Sequence, residues 1–358
     1  MQLSKGLILF LLFSSICGHN NELRVFGNIK KLPSKISERL SEYWYIYKAS
    51  LNKTYTAKEE LVKRVAWEKN LLKIYEHNLM AEAGHHTYTL RDNHIADLCT
   101  RQYMKNMVKL IPSRRRKISD DELVGAVLHD PKTIPSHLDW RKKGFITQPV
   151  NQESCGSCYA YSIAESIEGQ IFKKTGALIS LSAQQIVDCS SITGNLGCAG
   201  GSLRNGLRYL QKSGGLMEQI NYPYIAQEGQ CKFQTNLGIV NITSWAILPA
   251  RDERALQAAV ATIGPIAVSI NASPRTFQLY QLQKNSIHTL ASKNEGVYDD
   301  PLCSSDMVNH AMLIVGYTPN EWILKNWWGE QWGENGYMRI VKNKNRCGIA
   351  NYAAYVRI

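Results

Sequence analysis

The stretch from Gln152 to Ser162 sets Cys155 and Cys158 three apart, with Gly156-Ser157 between them, and runs straight into an apolar stripe of helical period. Ile163, Ile167 and Ile171 recur every fourth residue with Ala164 beside them, so the spacing predicts a helix from about Cys158 to Lys174 that buries one face. Thr175-Gly176 ends it, and Lys173 and Lys174 occupy the last turn, where cations suit the helix dipole. Cys158 therefore stands at the positive end of a buried helix, which favours thiolate over thiol.

A thiolate that persists at neutral or acidic pH needs a cation beside it. His310 is the candidate: it leads the apolar run Ala311-Met312-Leu313-Ile314-Val315, which reads as a buried strand ending at Gly316-Tyr317. Asn326, inside Lys325-Asn326-Trp327-Trp328, can orient the imidazole through one ring nitrogen. The set then supplies a nucleophile, a base and an orienter of the base. Each member is ordinary alone: a lone Cys is usually a small buried hydrophobe, a CxxC pair is often a redox or metal site, and a lone His before an apolar run is usually core. Their order and flanks together favour nucleophilic chemistry.

The run Cys155-Gly156-Ser157-Cys158-Tyr159 and the order Cys158, His310, Asn326 resemble the papain and cathepsin cysteine proteases. From about Pro135 onward the chain looks like a cathepsin L-like member. The resemblance implies an α+β, papain-like two-lobe fold, with a helical lobe and a β-barrel-like lobe, preceded by a helical inhibitory propeptide. It implies a zymogen of a cysteine endopeptidase that needs neither cofactor nor metal and acts on peptides or proteins. Gln152, six residues before Cys158, is expected to donate to the oxyanion of a tetrahedral intermediate beside the Cys158 N–H. Gly197-Cys198-Ala199-Gly200-Gly201 resembles the substrate-binding glycine loop, with Gly200 and Gly201 pairing with substrate main chain. Ser202, Leu203, Ser269, Ala311 and Tyr352 are expected to line the pocket for the P2 side chain. That lining predicts a hydrophobic P2 preference in a pocket that Tyr352 makes shallow. Trp328 is expected to shield Asn326 and touch substrate.

Two residues depart from the family pattern. Tyr159 stands where Trp is usual, and Trp327 where Ser is usual. A Trp327 ring aimed at Gln152 would displace it or narrow the primed sites. The rival reading is accordingly a weakened or silent papain-fold binding protein. A redox protein using Cys155 and Cys158 is a further rival, against which Cys198 offers Cys155 another partner.

Nine cysteines are present. Cys17 falls in a segment expected to be removed and Cys99 in the region before the peptidase. Of the remaining seven, six can pair and one is left over, which suits a nucleophilic Cys158. Sequence alone allows many pairings; the resemblance implies Cys155–Cys198, Cys189–Cys231 and Cys303–Cys347, and assigns Cys99 no bond. Residues 1–18 read as a signal peptide, with Lys5 as the basic start, Gly6 to Phe13 apolar, and small residues to Gly18. That run is too short to span a membrane, which takes about 20 residues. The expected destination is the secretory pathway, ending in the lysosome or outside the cell, where disulfides form. Asn52, Asn241 and Asn271 begin glycosylation triplets.

The net charge is +12. From Pro135 onward there are 20 Lys and Arg against 16 Asp and Glu, so most of the basic excess lies upstream. With no aromatic-basic motif, nucleic-acid binding is not expected.

Residues 19–134 are expected to form the propeptide and 135–358 the peptidase. Ser37 to Asn78 looks helical, with apolar stripes at Leu40, Tyr43, Trp44 and Tyr47 and at Leu61, Val65, Leu72 and Tyr75. Glu59, Lys63, Trp67, Asn70, Ile74 and Asn78 resemble the ERFNIN pattern of cathepsin L-type propeptides, with Lys63 in place of Arg. Asn93 to Asp97 resembles their second motif. The resemblance implies that the propeptide inhibits its own peptidase by crossing the cleft opposite to substrate. It also implies cystatin-type inhibitors and a monomer. Arg114 to Lys117 reads as an exposed linker or processing site, and the mature start is expected between Ile134 and His137. Further on, Ser182 with Gln185 is expected to form a capping box. Helices are expected over Leu203 to Gln211 and Asp252 to Ile263, with strands near Ile239 to Ile247, Pro265 to Ile270 and Tyr337 to Ile340.

Overall fold

The computed structural model describes residues 34–112, 134–282 and 296–358. The expected signal peptide and the basic linker Arg114 to Lys117 lie outside them. Among the described residues two helices come first, α1 (Ser34–Ser50) and α2 (Ala57–Glu82), followed by α3 (Thr100–Met107). The peptidase begins with β1 (Leu138–Asp139), then α4 (Cys158–Thr175), α5 (Ala183–Cys189), α6 (Leu203–Ser213), β2 (Leu216–Met217), β3 (Gly238–Val240) and β4 (Ser244–Ile247). It continues with α7 (Glu253–Thr262), β5 (Ile266–Ile270), α8 (Arg275–Gln278), β6 (His310–Tyr317), β7 (Glu321–Lys325), β8 (Tyr337–Val341) and β9 (Ala353–Arg357).

The first helical stretch breaks at residues 51–56 because Thr56 caps α2: its hydroxyl accepts from Glu59 N while Glu59 reaches back to Thr56 N. Trp44 and Tyr47 of α1 meet Trp67 of α2 at ring separations of 5.2 and 5.6 Å. The second expected stripe is corrected. Leu61, Leu72 and Tyr75 are exposed, and α2 instead buries Ala66, Trp67, Asn70 and His77. The polar members of that face are held by main chain: Asn70 Nδ2 donates to Ala96 O at 2.7 Å, and Asn78 exchanges two bonds with Leu90. Buried amides thus fix the loop that follows the helices, which an apolar-stripe reading cannot anticipate. In that loop Asp97 takes bonds from Lys53 and Tyr55.

Within the peptidase, α4 is buried on almost every side. Gly176 ends it at φ +75°, donating to Phe172 O, a conformation that favours glycine. Strand β6, apolar after His310, is buried on both faces. Ala311, Leu313 and Val315 join the core shared with α4, whereas Met312 and Ile314 join the core behind the sheet. The sheet runs β4-β9-β5-β6-β7-β8, with β1 on β6, and its described pairs are antiparallel. Helices α4, α5 and α6 pack as one lobe and the sheet forms the other. The capping box expected at Ser182 is half present. Ser182 Oγ accepts from Gln185 N, but the Gln185 amide turns to Tyr209 Oη and Gly215 O, where it is fully buried.

Disulfides join Cys155 to Cys198, Cys189 to Cys231, and Cys303 to Cys347. Cys99 is also disulfide-bonded, which corrects the expectation that assigned it no bond. Among the described residues Cys158 is the free thiol.

Candidate active site

Helix α4 presents Cys158 at its first turn, β6 presents His310 at its first residue, and the end of β7 presents Asn326. The loop before α4 carries Gln152. All four are fully buried. His310 Nε2 lies 2.7 Å from Asn326 Oδ1, which also accepts from Trp327 N at 2.9 Å. An oxygen with two donors fixes the tautomer: Nε2 carries the proton and Nδ1 is the basic nitrogen. Nδ1 has no hydrogen-bond partner. Trp328 packs 4.8 Å from the imidazole and edge-on to Tyr103 of α3, covering the His310–Asn326 pair.

Residues 107–111 lie across this site. Gln152 Nε2 donates to Cys155 O at 2.9 Å and, at 3.4 Å, to Met107 O of the overlying segment. Lys109 and Ala311 send main-chain hydrogen bonds to the Cys158 sulfur. Leu110 N donates to Asn309 O and Ile111 N to Gly201 O, both at 2.8 Å. Leu110 pairs with Gly201 as a parallel bridge. A side chain at Gly200, where φ is +120°, would meet Lys109 O at 2.1 Å, so glycine is required for this close approach.

Burial pushes the Cys158 thiol up to about 12, more than main-chain hydrogen bonds from Ala311, Tyr159, Lys109 and its own residue offset. Burial also pulls His310 down to about 4, against the opposing bond to Asn326. Nucleophile and base are both neutral in the precursor. The thiolate expected from the helix dipole is withheld while the chain of residues 107–111 keeps water away.

Leu110 belongs to the same apolar cluster as Leu203 and Ala311, with Tyr352 packed against it. Ser202 caps α6, and Ser269 N donates to Tyr352 O at 2.8 Å. Arg204 Nε donates to Tyr352 Oη at 3.1 Å. Tyr159 is fully buried, and its hydroxyl donates to Gly197 O, bracing the glycine loop.

Trp327 corrects an expectation. Its ring does not displace Gln152. It lies fully buried against Tyr161, 5.5 Å away and 19° from parallel, and its Nε1 donates to Ala311 O at 2.9 Å. The rival reading of a silent binding protein loses its main support. Asn271 is corrected as well: it is 4% exposed and its Nδ2 donates to Ser304 O, which leaves no room for a glycan. Asn52 and Asn241 are exposed.

Sequence reasoning missed the buried pair Lys325–Glu165, 2.5 Å apart, one residue from Asn326. A lysine closing an otherwise apolar strand was its only signal. It also missed the Tyr224 hydroxyl, which donates to Gln152 O at 2.8 Å.

Residues 134–357 match papain family cysteine protease, and residues 44–103 match the cathepsin propeptide inhibitor domain (I29). The chain is 39% identical over 330 residues to cathepsin K of Mus musculus, covering 90% of this chain and 94% of that one. It is 37% identical over 335 residues to cathepsin L2 of Homo sapiens, with the same coverage. Among solved structures it resembles digestive procathepsin L 3 of the Tenebrio molitor larval midgut, with a TM-score of 0.76 at 31% identity over 89% of this chain and 99% of that one. It also resembles a stem bromelain precursor, with a TM-score of 0.74 at 26% identity over 89% and 99%.

Proposed function

Because the chain belongs to the papain family of cysteine proteases, we propose that Cys158, His310, Asn326 and Gln152 carry its peptide hydrolysis. The protein is a cysteine-type endopeptidase made as a zymogen, with a cathepsin-type propeptide that inhibits it within the same chain. The observation that carries the residue assignment is the His310–Asn326 bond. It leaves Nδ1 as the basic nitrogen on the strand whose next residue reaches the Cys158 sulfur.

Once residues 107–111 leave, Nδ1 takes the proton of Cys158, giving a thiolate and an imidazolium. The thiolate attacks the scissile carbonyl, and the oxyanion accepts from Gln152 Nε2 and the Cys158 N–H. His310 then gives its proton to the leaving amine as the C–N bond breaks, which forms a thioester. Water attacks the thioester, passing a proton to His310, and the thiol is regenerated with release of the acid.

The P2 preference is hydrophobic, supported by Leu110 packed with Leu203, Ala311 and Tyr352. The peptidase begins near Pro135, whose carbonyl accepts from Tyr317 Oη at 2.8 Å just before β1 joins the sheet. Three disulfides support folding in the secretory pathway, with the lysosome or the extracellular space as destination. Cystatin-type inhibitors and a monomeric state are part of the same reading.

The test is titration of the acid-treated precursor with an epoxysuccinyl peptide, alongside cleavage of a Leu-Arg fluorogenic peptide. The expected outcome is one mass adduct on Cys158 with turnover, both lost in Cys158→Ala. Turnover without an adduct on Cys158 sinks the assignment.

A further inference from the structure

Three aromatic residues outside the reacting set join its separate parts. Tyr224 offers one hydroxyl to both ends of the loop that precedes the nucleophile. It donates to Gln152 O at 2.8 Å and shares a 2.6 Å hydrogen bond with Ser157 Oγ. Its ring lies 4.9 Å from Tyr161, one helical turn after Cys158 on α4. Tyr161 in turn stacks on Trp327. Trp327, itself on the sheet lobe, makes three polar contacts, two within that lobe and one to the loop before α4. Its Nε1 donates to Ala311 O at 2.9 Å, its main-chain N donates to Asn326 Oδ1 at 2.9 Å, and its carbonyl accepts from Gln152 N at 2.8 Å.

We propose that Tyr224, Tyr161 and Trp327 act as one positioning column that holds the oxyanion loop, the nucleophile helix and the His310 strand in register. The proposal rests on the roles assigned above to Gln152, Cys158 and His310. Aromatic plates suit this task. Each has few rotamers, and each ring contact adds attraction beyond the area it buries. Tyr161 and Trp327 are buried in the core shared by both lobes, so a shift of one is passed to the next. Small errors in the placement of reacting groups cost large factors in rate. The column also explains why a bulky residue stands beside Asn326 without blocking the site: its ring fills the space under β6, and Tyr161 provides the opposing face.

The test uses the full chain, acid-activated, with Trp327→Phe, Tyr224→Phe and the double variant. Trp327→Phe keeps a ring on Tyr161 but removes the Nε1 donor; Tyr224→Phe keeps the ring but removes the hydroxyl. Active sites are titrated first, so failure of the wild type to label Cys158 identifies a failure of the underlying assignment instead. With labelling intact, each single variant is expected to lower kcat per titrated site by about three- to ten-fold, the worth of one hydrogen bond, with KM unchanged within about two-fold. The double variant is expected to lose less than the product of the two, because coupled residues are not additive. Trp327→Phe, acting on the His310 strand, is expected to move one limb of the kcat/KM pH profile. Unchanged kcat per site with a lowered melting temperature in both variants would reduce the column to packing and overturn the proposal. So would strictly multiplicative losses.

Discussion

At the scale of single residues, Tyr352 is the residue proposed above to wall the P2 pocket. It packs against the apolar cluster that holds Leu110, Leu203 and Ala311, and its hydroxyl is held by Arg204 Nε at 3.1 Å. Tyr352→Ala deepens the pocket and frees Arg204 from that bond, so the ratio of kcat/KM for Phe over Leu at P2 is expected to rise by at least about five-fold. Extra apolar volume in a specificity pocket is worth ~1–3 kcal/mol. Paired Phe-Arg and Leu-Arg fluorogenic peptides read the ratio, and an unchanged value removes Tyr352 from the P2 pocket. The residues of the reacting set were legible in the sequence because the chemistry restricts their types and chain order. The direction of a side chain was not. Trp327 fits a ring facing the cleft or the core equally well until Tyr161 is placed beneath it. Asn271 likewise reads as a glycan acceptor until its amide is found buried on Ser304 O.

At the scale of elements, the period of the apolar residues made α4 and β6 legible, whereas the face of α2 was not, because buried Asn70 and His77 share it with Ala66 and Trp67. The link between β7 and α4 is a second hidden feature. Lys325 Nζ contacts Glu165 Oε2 at 2.5 Å in the core and reaches Thr147 O at 2.7 Å and Gln148 O at 3.0 Å, and its carboxylate partner is 160 residues distant in sequence. Removing one member of a buried pair strands the other charge. Glu165→Gln is therefore expected to destabilise the precursor by about 3–5 kcal/mol. Glu165→Leu with Lys325→Met is expected to recover most of that loss, because replacing both charges with apolar groups avoids the desolvation cost. Denaturant unfolding of the three proteins checks this, and a single-variant loss below about 1 kcal/mol would show the pair to be weakly coupled to the fold.

At the scale of the whole molecule, several described stretches of the propeptide bond to the peptidase, among them residues 93–103 through Gln278 and Ala272. Residues 107–111 cover the cleft, and residues 87–91 lie along the peptidase through Gly296 N to Thr87 O at 2.7 Å and Arg91 N to Leu279 O at 2.9 Å. Behind the contact of residues 87–91, His77 and His86 stack 4.1 Å apart and 3° from parallel. His77 Nε2 bonds Tyr88 O at 3.0 Å, and the Tyr88 ring packs on Tyr298. Burial pulls His77 down from 6.5 to about 4 against the bond to Tyr88 O, with His86 and Lys73 adding to the fall and Asp300 opposing it; burial also lowers His86, opposed by Asp300 and reinforced by Lys73 and His85. A histidine whose docked value lies below its released value binds protons preferentially when released. Docking is therefore at full strength above about 6.5, weakens as pH falls, and has lost this contribution entirely below about 4. Each unit of pH across that window weakens docking by up to about 1.4 kcal/mol through His77. His77→Gln keeps a donor for Tyr88 O but cannot take up a proton, so the midpoint pH for exposure of Cys158 is expected to move lower. The rate of epoxysuccinyl labelling of Cys158 against pH, in wild type and His77→Gln, reads that midpoint. Coincident curves would remove His77 from the release step and leave acid to act through other groups.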